Sequence, residues 1–455
     1  MSETVVDRQG LYGAESDPAA QRTALTSGEI PVAVYGLGKM GVPLAGVYAE
    51  VTGNTIGVDV DPDVVEQING GTSPIQREPG LEALVAETVE DGGLWATTDG
   101  DAAAEAARVH VVMVPTLLTS NKEPDLSILE EVVSTIATGL AQGDVVIIES
   151  TVPPRTTVDR VLPTLLEESD LDADEFGVAA CPERTVSGQA LADIRGTHPK
   201  IVGGVDEEST RVATLIYGEI TDNDVLTTTD AATAEAVKVF EGVYRDANIA
   251  IANQLALYAE EMDIDVNEGI EVANTQPFCD LHDPGPGVGG HCIPVYPYFL
   301  SGQFDADASV LTAARERNDA MPAFTASLVE AILEDEGVAL DDAEVLLLGV
   351  TYKANIAELR NSPSIPLAEL LNERGAMVYA VDPLVDDWTE LEPMWPRSHE
   401  DVDGDSPDVV VLATPHQEFT RLDWDDFDAP ILDGRGVIDT ENVETPVYTI
   451  GGRWP

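Results

Sequence analysis

Lysine is nearly missing from this chain. Five occur in 455 residues, at positions 39, 122, 200, 238 and 353, and basic residues total 23 against 84 acidic ones. The formal net charge is −61 at pH 7. Such an excess repels polyphosphate backbones and anionic bilayers, so nucleic acid and membrane surfaces are not expected as partners. An anionic small molecule is repelled as well, and needs a local basic pocket. A surface of this kind suits very high salt, where screening tames self-repulsion, and the chain reads as halophilic. Disorder is the rival consequence of so much charge. It is rejected because the acids are interleaved with periodic apolar segments.

Cysteine is also scarce. Cys181, Cys279 and Cys292 are scattered, which excludes a disulfide framework and suggests a reducing cytoplasm. No metal site is expected. Long apolar runs are missing too, so no membrane span is expected. The opening Met1-Ser-Glu-Thr-Val-Val-Asp-Arg8 lacks the basic and apolar segments of a signal peptide. Residues 1–29 are polar and aperiodic and are expected to form a disordered tail.

What the chain does have is 44% hydrophobic residues and enough length for several domains. From Pro31 the pattern is strand, glycine turn, helix, strand. Pro31–Tyr35 is a short apolar run, followed by Gly36-Leu-Gly38-Lys39-Met40-Gly41 and a helical stretch to Glu50. Thr55–Asp59, Val109–Val114 and Asp144–Ile148 are further buried-strand candidates. Ala231–Met262 carries apolar residues at helical spacing and reads as a long central helix. Ala343–Gly349, Met377–Asp382 and Asp408–Ala413 begin a second α/β block. The expected fold class is α/β, with two Rossmann-like doubly wound parallel-sheet domains joined by the long helix.

The glycine turn carries chemistry. Gly36 permits the tight turn, Gly38 lets backbone approach a pyrophosphate, and Gly41 lets helix and strand pack closely. The helix start offers unpaired N–H groups to the phosphates. Asp59 lies about twenty residues on, as a dinucleotide site requires. It should accept from the adenosine ribose hydroxyls and repel a 2′-phosphate, which favours NAD over NADP. Asp61 adds to that repulsion. Thr116, after Val114-Pro115, and Thr151, in Glu149-Ser-Thr-Val-Pro153, end strands of the same half, where a hydroxyl can hold a water or a substrate.

Cys292 sits in Gly285-Pro-Gly-Val-Gly-Gly-His-Cys292-Ile-Pro294, a turn with little side-chain bulk. A free cysteine is most often a small buried hydrophobe. Beside a dinucleotide signature, an accessible thiol suggests oxidation through a sulfur adduct. Glu183, in Cys181-Pro-Glu-Arg184, could act as a general base. Lys238, amid apolar neighbours in a lysine-poor chain, could stabilise an oxyanion. Lys353, Arg360 and Arg435 could form the basic pocket of an anionic diphosphate.

These ordered motifs, with Tyr244-Arg245-Asp246, Tyr352-Lys353 and Asp433-Gly434-Arg435, resemble the UDP-glucose/UDP-N-acetylmannosamine dehydrogenase family over about residues 31–452. The resemblance implies an NAD-binding Rossmann domain at 30–205, a central helical dimerisation domain at 206–330 and a UDP-sugar-binding domain at 331–455. It implies a cytoplasmic homodimer serving polysaccharide synthesis. It further implies a four-electron oxidation of a sugar C6 hydroxyl to a carboxylate, with Cys292 as nucleophile, Lys238 as proton-transfer and oxyanion residue, Glu183 in thioester hydrolysis and Thr151 positioning water. Gly36, Gly38, Lys39, Met40, Gly41, Asp59, Pro115, Thr116, Thr151 and Arg360 map to NAD. Arg184, Thr185, Lys238, Arg245, Gly289, Tyr352, Lys353 and Arg435 map to the nucleotide sugar. The Gly289–Pro294 and Cys181–Arg184 sequences look like the N-acetylhexosamine branch, favouring UDP-N-acetylmannosamine over UDP-N-acetylglucosamine and UDP-glucose. Three positions depart from the family pattern. Gly242 replaces an asparagine, Tyr296 an aspartate, and Gln276-Pro277-Phe278 a basic His-Pro-Arg. The alternative readings are a two-electron hydroxyacid dehydrogenase and a non-catalytic NAD or nucleotide-sugar binding protein.

Overall fold

The computed structural model describes residues 10–389, 391–398, 402 and 406–453. It divides into two compact units, residues 1–240 with 298–304 and residues 241–297 with 305–455. The division falls within a single helix, Ala231–Ala256, followed by the short helix Ala259–Met262.

The first unit holds an eight-stranded sheet. Its strands are β1 (Val32–Tyr35), β2 (Thr55–Val58), β3 (Leu94–Thr97), β4 (Val109–Val112), β7 (Val145–Ile148), β8 (Gly177–Ala180), β9 (Lys200–Gly204) and β10 (Val225–Thr227). Between β4 and β7, Leu117–Leu118 (β5) and Pro124–Asp125 (β6) form a separate antiparallel pair. The order is β10-β9-β8-β7-β4-β1-β2-β3, parallel except between β8 and β9. Every residue of β1, β4, β7 and β8 is buried, as continuous apolar strands covered on both faces must be. Alternate residues feed two cores. Val32 and Val34 join one, and Ala33 and Tyr35 the other. A buried ion pair, Arg108 Nη1 to Asp144 Oδ1 at 2.7 Å, ties the residues that lead into β4 and β7. The strand order turns back between β1 and β4, so the loops after those strands flank the crevice where doubly wound sheets bind ligands.

The second unit has an all-parallel sheet. Its strands are β11 (Glu344–Leu348), β12 (Met377–Val381), β13 (Trp395–Pro396), β14 (Val409–Leu412), β15 (Ile431–Asp433) and β16 (Val447–Thr449), in the order β13-β12-β11-β14-β15-β16. Here too Val345 and Leu347 feed one core, and Leu346 and Leu348 another. Its switch point lies between β11 and β14. Among the described residues no helix is long and apolar enough to cross a membrane.

Three expectations need correction. Residues 1–9 lie outside the described residues, but the rest of the expected tail is built into the first core. Asp17 Oδ1 accepts from the N–H groups of Ala19 and Ala20, Pro18 opens a helix to Thr26, and Leu11 and Leu25 are buried. The boundary at 205/206 is too early. Asp206 caps the helix Glu207–Ile220, which packs in the first core, and β10 extends the sheet through β9. The boundary at 330/331 cuts the helix Met321–Asp335, whose Met321, Val329, Ile332 and Leu333 belong to the core of the second sheet.

Candidate active site

Sterics fix the glycine turn after β1 at its first and third glycines and leave the second open. Gly36 has φ +94°, and a methyl there would stand 2.4 Å from the Met113 carbonyl oxygen. A methyl on Gly41 would stand 1.7 Å from the Gly36 oxygen, so that position tolerates no side chain. At Gly38 nothing lies within 4 Å, which leaves the backbone open to a ligand. The helix Gly41–Thr52 that follows has no side-chain cap, because Met40 stands at its N-cap. Lys39 and Met40 are half-buried there. Asp59 Oδ2 accepts from Leu37 N at 2.7 Å and Oδ1 from Asp61 N at 3.0 Å. The carboxylate thus braces the turn and keeps lone pairs for hydroxyls. Asp61 turns out to cap the helix Pro62–Asn69. Open backbone at Gly38, an uncapped helix start and an acid after β2 fit the pyrophosphate and ribose of NAD.

The loops after β4 and β7 are stitched together. Ser150 Oγ accepts from Val114 N at 2.8 Å and donates to Val114 O at 2.8 Å. Thr116 Oγ1 donates to Thr151 O at 2.5 Å, so the Thr116 oxygen is left as an acceptor only. Pro115 is exposed and Thr151 half-buried beside it.

Behind these loops lies an acid–lysine cluster. Glu149 is wholly buried at the end of β7. Lys200 Nζ, which opens β9, stands 2.9 Å from Glu149 Oε2 and 3.6 Å from Glu183 Oε2. Tyr217 donates to Glu149, and Lys200 lies 4.6 Å from the centre of the Tyr217 ring. Burial pushes the Glu149 carboxyl up to about 7, with Lys200 opposing. Burial also raises Glu183, but Lys200, a hydrogen bond with Glu149 and the Lys238 ammonium outweigh it and hold it below its ordinary value. The proton of the pair therefore rests on Glu149 and the negative charge on Glu183. Sequence reasoning singled out Glu183 and Lys238 separately, and the Lys238 charge acts on Glu183 in this cluster. It missed Glu149, Lys200 and Tyr217, although one of only five lysines was a usable signal. Arg184 Nη1 donates to Pro199 O at 2.9 Å, and Thr185 Oγ1 meets Met40 Sδ at 2.7 Å. Cys181 is sealed in the core, and burial drives its thiol far above the ordinary range.

In the second unit Cys292 is half-exposed on its turn. Gly290 has φ +89°, and methyls on Gly289 and Gly290 would stand 2.6 and 2.7 Å from atoms of Tyr352. Gly290 N donates to Arg360 O at 2.8 Å and Asn361 Nδ2 to Gly290 O at 2.8 Å. The Cys292 carbonyl accepts from Val295 N and Tyr296 N, both at 3.0 Å. His291 Nδ1 lies 3.2 Å from Glu358 Oε1, and Arg360 Nε lies 3.9 Å from the same oxygen. Arg360, mapped to NAD, thus lies in the second unit beside Glu358. Lys353 is exposed in the loop after β11. Arg435 Nε donates to Ala413 O at 3.1 Å, and burial lowers its guanidinium to about 10, with Asp433 opposing. A cation held in so poor a solvent gains from a bound anion. Asp433 itself accepts from the N–H groups of Arg435, Gly436, Val437 and Ile438. Arg245 is exposed, and its charge acts on His282. Phe278 is 92% exposed. The Gly242 and Tyr296 departures prove to be one physical event, since a methyl on Gly242 would stand 2.0 Å from the Tyr296 ring.

A Rossmann unit with a phosphate turn, a second parallel α/β unit and a thiol on a glycine turn define an NAD-dependent dehydrogenase with a separate nucleotide-binding domain. Domain comparisons agree. Residues 30–221, 232–320 and 346–446 match the NAD-binding, central and UDP-binding domains of the UDP-glucose/GDP-mannose dehydrogenase family. The UDP-N-acetyl-D-mannosamine dehydrogenase of Pyrococcus horikoshii is 34% identical over 416 residues, 90% of this chain and 96% of that relative. A solved structure of the UDP-D-ManNAc dehydrogenase from P. horikoshii superposes with a TM-score of 0.83 at 33% identity, covering 93% of this chain and 99% of the other. A UDP-glucose dehydrogenase from Pyrobaculum islandicum gives a TM-score of 0.84 at 26% identity, covering 94% of this chain and 98% of the other. The chain belongs to the UDP-glucose/GDP-mannose dehydrogenase family, whose members are NAD-dependent nucleotide-sugar dehydrogenases.

Proposed function

We propose that this protein oxidises the C6 hydroxyl of UDP-N-acetyl-D-mannosamine to a carboxylate through a covalent adduct on Cys292. The observation that carries the reading is the half-exposed thiol on a turn stripped of side-chain bulk. NAD, when bound, accepts a hydride from the same carbon at each of two steps. The chain supplies the rest. The hydroxyl proton passes to water held by Thr151 as the aldehyde forms, and the Lys238 ammonium stabilises the charge that develops on the oxygen. Cys292 then adds to the aldehyde carbon, making a C–S bond, and the carbonyl oxygen takes up a proton. Loss of a second hydride, with transfer of the hydroxyl proton to water, leaves a thioester. Water held by Thr151 and deprotonated by the charged Glu183 cleaves it, releasing carboxylate and thiol.

Gly36, Gly38, Lys39, Met40, Gly41, Asp59, Pro115 and Thr116 are the NAD contacts of this reading, with Arg360. Arg184, Thr185, Arg245, Gly289, Tyr352, Lys353 and Arg435 are those of the UDP-sugar. The hexosamine choice rests on the residues around Cys292 and Glu183 and on the name of the Pyrococcus relative. Fold alone does not choose, because the glucose enzyme superposes equally well. We extend the reading to a cytoplasmic homodimer working in high salt.

The test is a panel of UDP-N-acetylmannosamine, UDP-N-acetylglucosamine and UDP-glucose in molar salt. Two NADH per UDP-N-acetylmannosamine, abolished in Cys292→Ser, is the expected result. One NADH per sugar, or unchanged uronate formation by Cys292→Ser, overturns the covalent route. The Gly242–Tyr296 pair favours one other reading, a binding protein without turnover. Tight binding of all substrates with no NADH formed would establish it.

A further inference from the structure

His291 enters neither the family mapping nor the mechanism above, yet it is fixed against the reacting atom. The turn that carries it is pinned from both sides of Gly290, by Arg360 O and by the Asn361 side chain. The Cys292 carbonyl is committed to the two N–H groups that follow. The imidazole and the thiol are therefore presented by a rigid backbone. The imidazole hydrogen-bonds the Cys292 side chain on one hand and, through Nδ1 at 3.2 Å, Glu358 Oε1 on the other. Glu358 is mostly buried, while the His291 side chain keeps 38% of its surface open. A nucleophile, a base in hydrogen-bond reach and a carboxylate orienting the base form the geometry of an activated thiol.

We infer that His291, oriented by Glu358, is the base that ionises the Cys292 thiol. The inference rests on the proposal that Cys292 is the nucleophile. With one ring proton held by Glu358, the imidazole takes the thiol proton and becomes imidazolium, and sulfur keeps the electron pair. The thiolate forms the C–S bond, the carbonyl π pair moves onto oxygen, and that oxygen takes the proton back from the imidazolium. Glu358 is a positioning residue, acting through the ring.

The surrounding charges agree. The hydrogen bond to Cys292, then that to Glu358, hold the His291 ring well above its ordinary value, at about 10, against the opposing effect of burial. The groups facing the pair are Glu358, the Arg360 guanidinium beside it and the Tyr352 phenol. Burial first, then the Glu358 and Cys292 charges, push that phenol up to about 12. It stays neutral and does not compete for the proton.

The experiment is the pH profile of Cys292 alkylation by iodoacetamide, with no nucleotide or sugar present. It is read by mass spectrometry on the peptide that carries Cys292, with Cys279 as internal reference. The wild type should alkylate with a midpoint at least one unit below the ordinary thiol value of about 8.5. His291→Gln should move the midpoint up to about 8.5 and slow alkylation at neutral pH about tenfold. Glu358→Gln should fall between. Cys279 should not change, and it reports any loss of fold. A wild-type midpoint at the ordinary thiol value overturns the inference, as does a midpoint indifferent to both substitutions. The assay needs neither substrate nor NAD. A thiol that ionises early in a protein that oxidises no UDP-sugar would sink the functional reading and leave this one standing.

Discussion

At the scale of single residues, the cluster around Lys200 decides most. One ammonium stands between two carboxylates, Glu149 at 2.9 Å and Glu183 at 3.6 Å, all withdrawn from water. Removing it strands a buried charge, so Lys200→Met should lower the unfolding free energy by about 3–5 kcal/mol. Denaturant titration checks this, and an unchanged midpoint would refute the account. Glu149 adds a pH signature. Its folded-state value near 7 lies above the ordinary carboxyl value, so its contribution is fully present below about 4.3 and fades as pH rises through 7. Glu149→Gln keeps a hydrogen bond donated to Glu183 and removes the titration. Between those pH values the wild type should lose about 3 kcal/mol relative to this variant. Glu183 and Lys238 were legible in the sequence because each stands in a motif. Lys200 and Glu149 were not, because β7 and β9 come together only through the sheet order and its antiparallel step at β8.

At the scale of elements, the helix Ala231–Ala256 carries a glycine in its interior, which ordinarily costs about 1 kcal/mol against alanine. Here the sign should reverse. A methyl on Gly242 meets the Tyr296 ring at 2.0 Å, so Gly242→Ala should destabilise by about 1–3 kcal/mol. Adding Tyr296→Ala should recover part of that loss, with a coupling of at least about 0.5 kcal/mol in a double-mutant cycle. Strictly additive effects would show that the ring does not need the gap. The long apolar strands and this helix were readable, because periodicity survives without knowledge of neighbours. The helix Pro18–Thr26 was not, since its buried positions are few and its cap is a lone Asp17-Pro18. The edge strand β10, three residues and mostly exposed, was likewise too short to announce itself.

For the whole molecule, the charge of −61 governs the solvent it needs. Self-repulsion falls as the screening length shrinks from about 10 Å at 0.1 M salt to about 3 Å at 1 M. The thermal midpoint should therefore climb steeply from about 0.1 M to molar potassium chloride. A midpoint indifferent to salt would contradict the reading of the surface as halophilic. Against this acidic background the few cations stand out. Lys200 and Lys238 oppose the charge of Glu183 in the first unit, and Arg435 lies half-buried in the second. Composition announced that such cations mattered but not which partners they serve.

The bond from Leu37 N–H to Asp59 has a consequence for redesign. On the proposed reading one carboxylate both selects the cofactor and clamps the phosphate loop, so retargeting the protein to the 2′-phosphorylated dinucleotide by swapping that acid alone would slacken the very cradle it hopes to refit. Any exchange of cofactor preference has to supply a new acceptor for the freed amide as well as a cation for the extra phosphate.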